Sequence, residues 1–135
     1  MTGTLNNNAP ARDVNYDVVQ YFRASVAFNT NNIGTTDKVL LGTLPAGARI
    51  INCVAAVEVA FNAATTNVLT VGSNAGADTN IMGASDITEG TPGGYSSLAG
   101  TTLTFATDTP VYILYTQSGT AATTGTATIT LSYTV

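Results

Sequence analysis

The chain contains no histidine and no tryptophan, and Cys53 is the one cysteine among its 135 residues. Histidine is the commonest general base and the commonest metal ligand in proteins. Its absence excludes Ser-His-Asp sites, Cys-His sites and zinc sites. Because Cys53 has no partner, no intramolecular disulfide forms and packing alone must stabilise the chain. We expect Cys53 to be a small, buried core residue.

Charged side chains are scarce as well. They make up 9% of the residues, whereas an average soluble domain has roughly 25%. The formal net charge is −4, and the basic residues form no cluster: they are Arg12, Arg23, Lys38 and Arg49. A nucleic-acid-binding protein needs a basic patch for the phosphates, so we expect no nucleic-acid partner.

Long apolar runs are also missing. No run approaches the ~18 residues that a membrane span requires. The chain does not begin with the basic-then-apolar pattern of a secretory signal. We therefore expect a protein that is made in the cytoplasm and does not bind membranes.

What the chain does have is a series of short segments in which apolar and polar residues alternate, as in strands with one buried face. Residues 22–28 and 39–44 are the first two. In residues 49–62, the longest, the predicted buried face consists of Ile51, Cys53, Ala55, Val57, Val59 and Phe61. In the closing segment it consists of Ala127, Ile129, Leu131, Tyr133 and Val135. Residues 111–116 are apolar on both faces, which is typical of a strand buried between layers.

These segments predict the fold. No window has apolar residues at helical spacing, and Gly or Pro interrupts most stretches longer than about ten residues. About seven to nine short strands predict an all-β fold, an antiparallel β-sandwich or jelly roll, over residues 20–135. A chain of 135 residues fits one such domain. The polar, Asn-rich residues 1–19 predict an extended N-terminal arm.

The arm is the part of the chain that we expect to bind other proteins. A polar segment with isolated apolar residues suits addition along a sheet edge or groove of a neighbour. Main-chain hydrogen bonds then give affinity, and alternate side chains give register. The residues predicted to contact partners are Leu5, Asn7, Pro10, Arg12, Val14, Tyr16 and Tyr21.

Three acidic residues lie in the loop-rich part of the chain: Asp78, Asp86 and Glu89. Two of them would suffice for a glycosidase pair, but their spacing is uninformative. Three of them with backbone carbonyls would suit a calcium ion, although the regular spacing of a calcium loop is absent, and a bound cation stays open. A catalytic Ser-Lys pair would need Lys38. We expect all four to be solvated surface charges, and we predict no catalytic residue, no cofactor and no metal site.

Several segments carry a resemblance to a known family. They are residues 44–51 (LPAGARII), 57–63 (VEVAFNA), 69–72 (LTVG) and 108–112 (DTPVY), followed by a Gly-Thr-Ala-Thr closing strand. Together they resemble the capsid decoration, or cement, proteins of tailed bacteriophages, which are of the jelly-roll type.

The resemblance implies a structural protein that is not an enzyme. Such a subunit binds the outside of the phage head and ties neighbouring major capsid proteins together. It is expected to associate with itself as a homodimer or homotrimer and to be located on the exterior of the virion.

Two other functions are compatible with the same sequence. One is a carbohydrate- or receptor-binding β-sandwich of a phage tail or fibre. The other is an ice-binding face formed by the regular row of Thr128, Thr130, Ser132 and Thr134. Ordinary solvent-facing threonines explain that row more simply.

Overall fold

The computed structural model describes residues 18–30, 38–73, 78–98 and 103–135. This part of the chain contains seven β-strands and no α-helix. The strands are β1 (Gln20–Ala27), β2 (Val39–Leu44), β3 (Arg49–Val59), β4 (Thr66–Gly72), β5 (Gly93–Ser96), β6 (Thr109–Ser118) and β7 (Thr126–Thr134). No helix in the described ranges is therefore long and apolar enough to cross a membrane.

The strands form two antiparallel sheets that pack face to face. One sheet has four strands in the order β1-β7-β3-β5, and the other has three in the order β2-β6-β4. This arrangement confirms the predicted all-β sandwich. Residues 1–17 lie outside the described ranges, so the N-terminal arm stays a prediction.

The core lies between the sheets and follows from the period-2 alternation of the strands. In β7, Ala127, Ile129 and Leu131 are completely buried, as the alternation predicted. In β6, Val111 and Ile113 are also completely buried. The opposite face of β6 is only half-buried, so the prediction of a strand covered on both faces is wrong. Among the described residues, this sheet packs against the four-stranded sheet on one side only, and its other side is partly open to solvent.

Two irregularities in β3 change which of its residues face inwards. The register against β7 shifts between Ile50 and Asn52 and again between Val57 and Val59. Each extra residue reverses the alternation locally. Ile51 and Val59, both predicted to be buried, are therefore 48% and 46% exposed, and Ile50 is buried instead.

The middle of β3 follows the predicted alternation. Cys53 and Ala55 are completely buried, and Val57 is nearly so. Burial raises the pKa of the Cys53 thiol to about 12, because the thiolate would lose its hydration. Cys53 is therefore an inert core residue, as predicted.

The sandwich closes along the side where β1 meets β2. Phe22 of β1 packs on Tyr133 with the ring centroids 5.0 Å apart. The register of β2 shifts next to Gly42. A Cβ atom at Gly42 would lie 2.5 Å from Cγ of Phe22. Only glycine therefore lets the β2 backbone approach this ring.

Gly42→Ala is expected to lower the free energy of unfolding by about 1–3 kcal/mol, because the Phe22 ring must move away from Tyr133. Gly90→Ala is the matched control, since a Cβ at Gly90 meets no atom within 4 Å, and it should change stability by less than about 0.5 kcal/mol. Urea unfolding measures both variants. Equal stabilities would contradict the proposed close packing.

Candidate interaction surface

The outer face of the four-stranded sheet contains a shallow depression, which we call the groove. Its volume is about 450 Å³. The strand register places short side chains next to one another here, because Ser25 is opposite Thr128 and Thr128 is opposite Ala56. The short side chains that line the groove are Ser25, Val54, Ala56, Thr128 and Thr130. A partner's backbone can approach such a surface closely.

A line of hydrogen bonds crosses three strands in the groove. The hydroxyl of Thr128 donates to Oε1 of Glu58, at 3.0 Å. The hydroxyl oxygens of Ser25 and Thr128 are also 3.0 Å apart. Since Thr128 has one hydroxyl proton and gives it to Glu58, Ser25 is the donor to Thr128. The Glu58 carboxylate is thus held towards β7.

Two charged side chains line the groove, Arg23 from β1 and Glu58 from β3. Both are exposed. Neither makes an ion pair within the described part of the chain. The Arg23 guanidinium and the Glu58 carboxylate are therefore in a position to form ion pairs with a partner protein.

An exposed apolar cluster lies at one end of the same face, where β1 begins. Tyr21 is opposite Ser132, and Asn52 is opposite Ser132 from the other side. The irregularity in β3 turns the side chain of Ile51 outwards at the same end of the sheet. Val19, Tyr21 and Ile51, which we call the apolar end, are 55%, 66% and 48% exposed.

Of the predicted contact residues, the structure describes Tyr21 alone. Its ring lies on the outer face, whereas Phe22 points into the core. The other predicted contacts, Leu5, Asn7, Pro10, Arg12, Val14 and Tyr16, lie outside the described residues. Sequence reasoning missed Arg23 and Glu58, although their rarity in a charge-poor chain was a usable signal. It also missed Ile51, because nothing in the sequence revealed the irregularity in β3.

The three acidic loop residues each make a separate structural contact. Asp78 is 1% exposed and pairs with Lys38, whose Nζ lies 5.3 Å from the Tyr112 ring centroid. Asp86 accepts a hydrogen bond from Gly83 N–H at 2.7 Å. The described ranges contain no group of three side chains suited to a metal. The prediction of solvated charges is wrong for Asp78, Glu89 and Lys38, because each has a partner within the fold.

Glu89 is buried beside β4. Its Oε1 accepts a hydrogen bond from Leu69 N–H at 2.7 Å. Burial raises its pKa, and hydrogen bonds from backbone N–H groups oppose the rise. Burial, with a smaller effect from the Glu89 charge, raises the pKa of Tyr115 to about 12. The Tyr115 hydroxyl donates to Asn67 Oδ1 at 2.7 Å, so Tyr115 connects β6 to β4, whereas Glu89 holds its loop against β4.

Known proteins resemble this chain in its fold. No protein-family model matches the sequence, and no curated protein matches it. A chain of the cyanophage Pam1 capsid asymmetric unit has 25% identity and a TM-score of 0.62, with 87% of this chain and 84% of that chain covered. This chain is therefore similar to a phage capsid protein.

Two further capsid structures share the fold. A chain of the acid-stable capsid of Helicobacter pylori bacteriophage KHP30 has a TM-score of 0.60 at 16% identity, covering 89% of this chain and 90% of that one. A chain of the Ralstonia phage GP4 capsid has a TM-score of 0.57 at 18% identity, covering 88% and 85%. In all three cases the match covers at least 87% of this chain.

Lys38→Met is expected to lower the free energy of unfolding by about 3 kcal/mol, because it leaves the Asp78 carboxylate buried without its cation. This is the low end for breaking a buried pair, since the Lys38 side chain is 24% exposed. The double variant Lys38→Met/Asp78→Asn removes both charges and should recover most of the loss. Urea unfolding measures the free energies of both variants. A Lys38→Met protein as stable as the wild type would contradict a stabilising role for the Lys38–Asp78 pair.

Glu89→Gln is expected to change how stability depends on pH. The folded state raises the pKa of Glu89 above its ordinary value of 4.5. Glu89 therefore contributes stability below that pH, which is lost as pH rises through the folded-state pKa. The variant keeps an oxygen for Leu69 N–H, so it should exceed the wild type in stability at pH 7 and lose this advantage at pH 4.

Urea unfolding at both pH values measures the effect of Glu89→Gln. Glu58→Gln is the matched control, because it makes the same substitution at an exposed position. A Glu89→Gln protein with the same pH dependence as the wild type would show that the carboxylate does not act this way.

Proposed function

We propose that the chain is a structural virion protein that binds the outside of a phage head and cements neighbouring major capsid proteins, so that the shell is stabilised. The observation that carries the proposal is the match to three phage capsid chains over at least 84% of either chain's length. Most of the chain is matched, rather than one motif.

The chemistry of the surface supports a binding role. Its outer sheet face combines small polar side chains, the apolar end and two charges that form no ion pair with another described residue. Such a surface favours contact with other proteins over conversion of a small molecule. A subunit that binds only the assembled shell stabilises it by mass action, and many linked weak contacts give avidity.

Sheet edges offer a second type of contact. β1 and β5 are the edge strands of the larger sheet, and β1 has eight residues. Its outer edge has no strand partner within the described ranges. An extended segment from a neighbour can add to such an edge by main-chain hydrogen bonds. The predicted contact residues of the arm, from Leu5 to Tyr16, would engage neighbouring subunits in the same manner.

The carbohydrate-binding alternative receives less support from the groove. Small-molecule sites commonly offer hydrophobic and aromatic walls. None of the residues that line the groove is aromatic. The groove therefore suits a polypeptide better than a sugar ring.

The test uses heads assembled without this protein. Purified chain is added, and co-sedimentation and the temperature of shell disruption are measured. We expect stoichiometric binding and a higher disruption temperature. Deletion of residues 1–15 should weaken binding at least about tenfold, if the arm contributes the linked contacts described above.

Two outcomes would count against parts of this proposal. A failure of the intact chain to sediment with shells, together with reproducible binding on a glycan array, would favour the receptor-binding alternative. Wild-type occupancy by the shortened chain would show that the arm is not the clamp. Gly90→Ala provides a full-length control with an unaltered arm and outer face.

A further inference from the structure

We propose that the groove is the docking site for residues 1–17 of a second copy of this chain, with Asp13 on Arg23 and Arg12 on Glu58. The proposal deepens the proposed function, because it names the contact between sister subunits, and rests on it for the two copies being neighbours on a head. It is argued from the charges of the groove, the position of the apolar end and the sequence before β1.

Charge complementarity is the first argument. The groove presents one cation and one anion, and neither forms an ion pair in the described ranges. Residues 1–17 contain adjacent charges of opposite sign, Arg12 and Asp13. Pairing these two with Glu58 and Arg23 would satisfy both charges of the groove and both of the segment.

The distances are compatible with this pairing. β1 and β3 are separated by β7 alone, so their axes are about 10 Å apart. Arg23 is opposite Thr130, whereas Glu58 lies between the partners of Ala127 and Thr126, so the two residues are also offset by about 10 Å along the strands. The line from Arg23 to Glu58 crosses the short side chains of Ser25 and Thr128. An extended backbone can lie on them, with the long side chains of Arg12 and Arg23 spanning the remaining distance.

The apolar end gives the direction of the docked segment. Arg23 is two residues from Tyr21 along β1, about 7 Å. Asp13 is three residues from Tyr16, about 10 Å in an extended chain. With Asp13 on Arg23 and the segment antiparallel to β1, Tyr16 points to the same side as Arg12, towards β3, and reaches the exposed Ile51. The segment therefore matches the surface in charge and in apolar position.

The sequence before β1 favours a second copy over the chain's own segment. To reach its own groove, the chain must reverse direction around Asp17, Val18 and Val19. This stretch contains neither glycine nor proline, and β-branched valines disfavour the positive φ of tight reversals. A segment from another copy needs no such turn. Seventeen extended residues reach up to about 56 Å, enough to link two domains.

Disulfide trapping in the free protein tests the docking. Asp13→Cys and Arg23→Cys are made in separate full-length chains, mixed and oxidised mildly. The native Cys53 is buried, and its thiol pKa is about 12, so it does not compete. Thr107→Cys replaces Arg23→Cys in the matched control, because Thr107 is exposed and is not part of the groove.

We expect a covalent heterodimer from Asp13→Cys with Arg23→Cys, in at least about fivefold higher yield than with Thr107→Cys. Equal yields would overturn the proposal. Both cysteines are also placed in one chain and oxidised at low concentration. A monomer with an internal disulfide as the dominant product would assign the groove to the chain's own segment and overturn docking between copies.

Charge reversal is a second test that does not depend on exact cysteine geometry. Arg23→Glu should weaken self-association at least tenfold in sedimentation experiments, and adding Asp13→Lys to the same chain should restore much of it. Glu58→Lys with Arg12→Glu is the equivalent exchange. Unchanged self-association in both single variants would overturn the proposal. These tests use no shell, so their result is independent of the capsid-binding experiment. Self-docking can therefore fail while capsid binding succeeds, and capsid binding can fail while self-docking succeeds.

Discussion

The packing of apolar side chains between the two sheets is the interaction on which the rest of this structure depends. The chain forms no intramolecular disulfide, and it has few charges to pair. Ile113 of β6 and Leu131 of β7, both completely buried, belong to the same core cluster. Burial of such side chains is the largest favourable contribution to folding. The outer faces, the edges and the loops are positioned by this core.

Two buried acidic side chains attach loops to the packed strands. Asp78 pairs with Lys38 at the start of β2, and Glu89 accepts a hydrogen bond from the backbone of β4. Each connects a segment without regular structure to a strand of the smaller sheet. In a charge-poor protein these carboxylates serve the architecture, and they are not gathered into a reactive site.

The outer face of the larger sheet follows from the same alternation that builds the core. Because every second residue is apolar and buried, the intervening positions receive Ser, Thr and small residues, and the groove forms where these meet on three strands. The irregularities in β3 add exposed apolar groups at both ends of that strand. A face of this kind offers small polar, charged and apolar groups for contact with another protein.

Some features of the structure could be predicted from the sequence, and particular residues show which. The alternation in β1 and β7 was sufficient to predict both strands and most of their buried faces, because a half-buried strand imposes a period of two. The prediction is wrong for Val135, which is 42% exposed just after β7 ends. The lack of histidine and the single cysteine narrowed the possible chemistry. The pairing of the acidic loop residues was not predictable, since Lys38 and Asp78 meet only when distant segments pack together.

The sequence by itself thus determined the class of fold, the burial of Cys53 and the polar character of the outer face. Only the tertiary structure decided that Ile51 and Val59 are exposed, that Asp78 and Glu89 are buried, and that Arg23 and Glu58 line one groove. The physical reason is that alternation is a local property of one strand. Register shifts, buried ion pairs and shared surfaces depend on which strands become neighbours, and that is settled by packing across the whole chain.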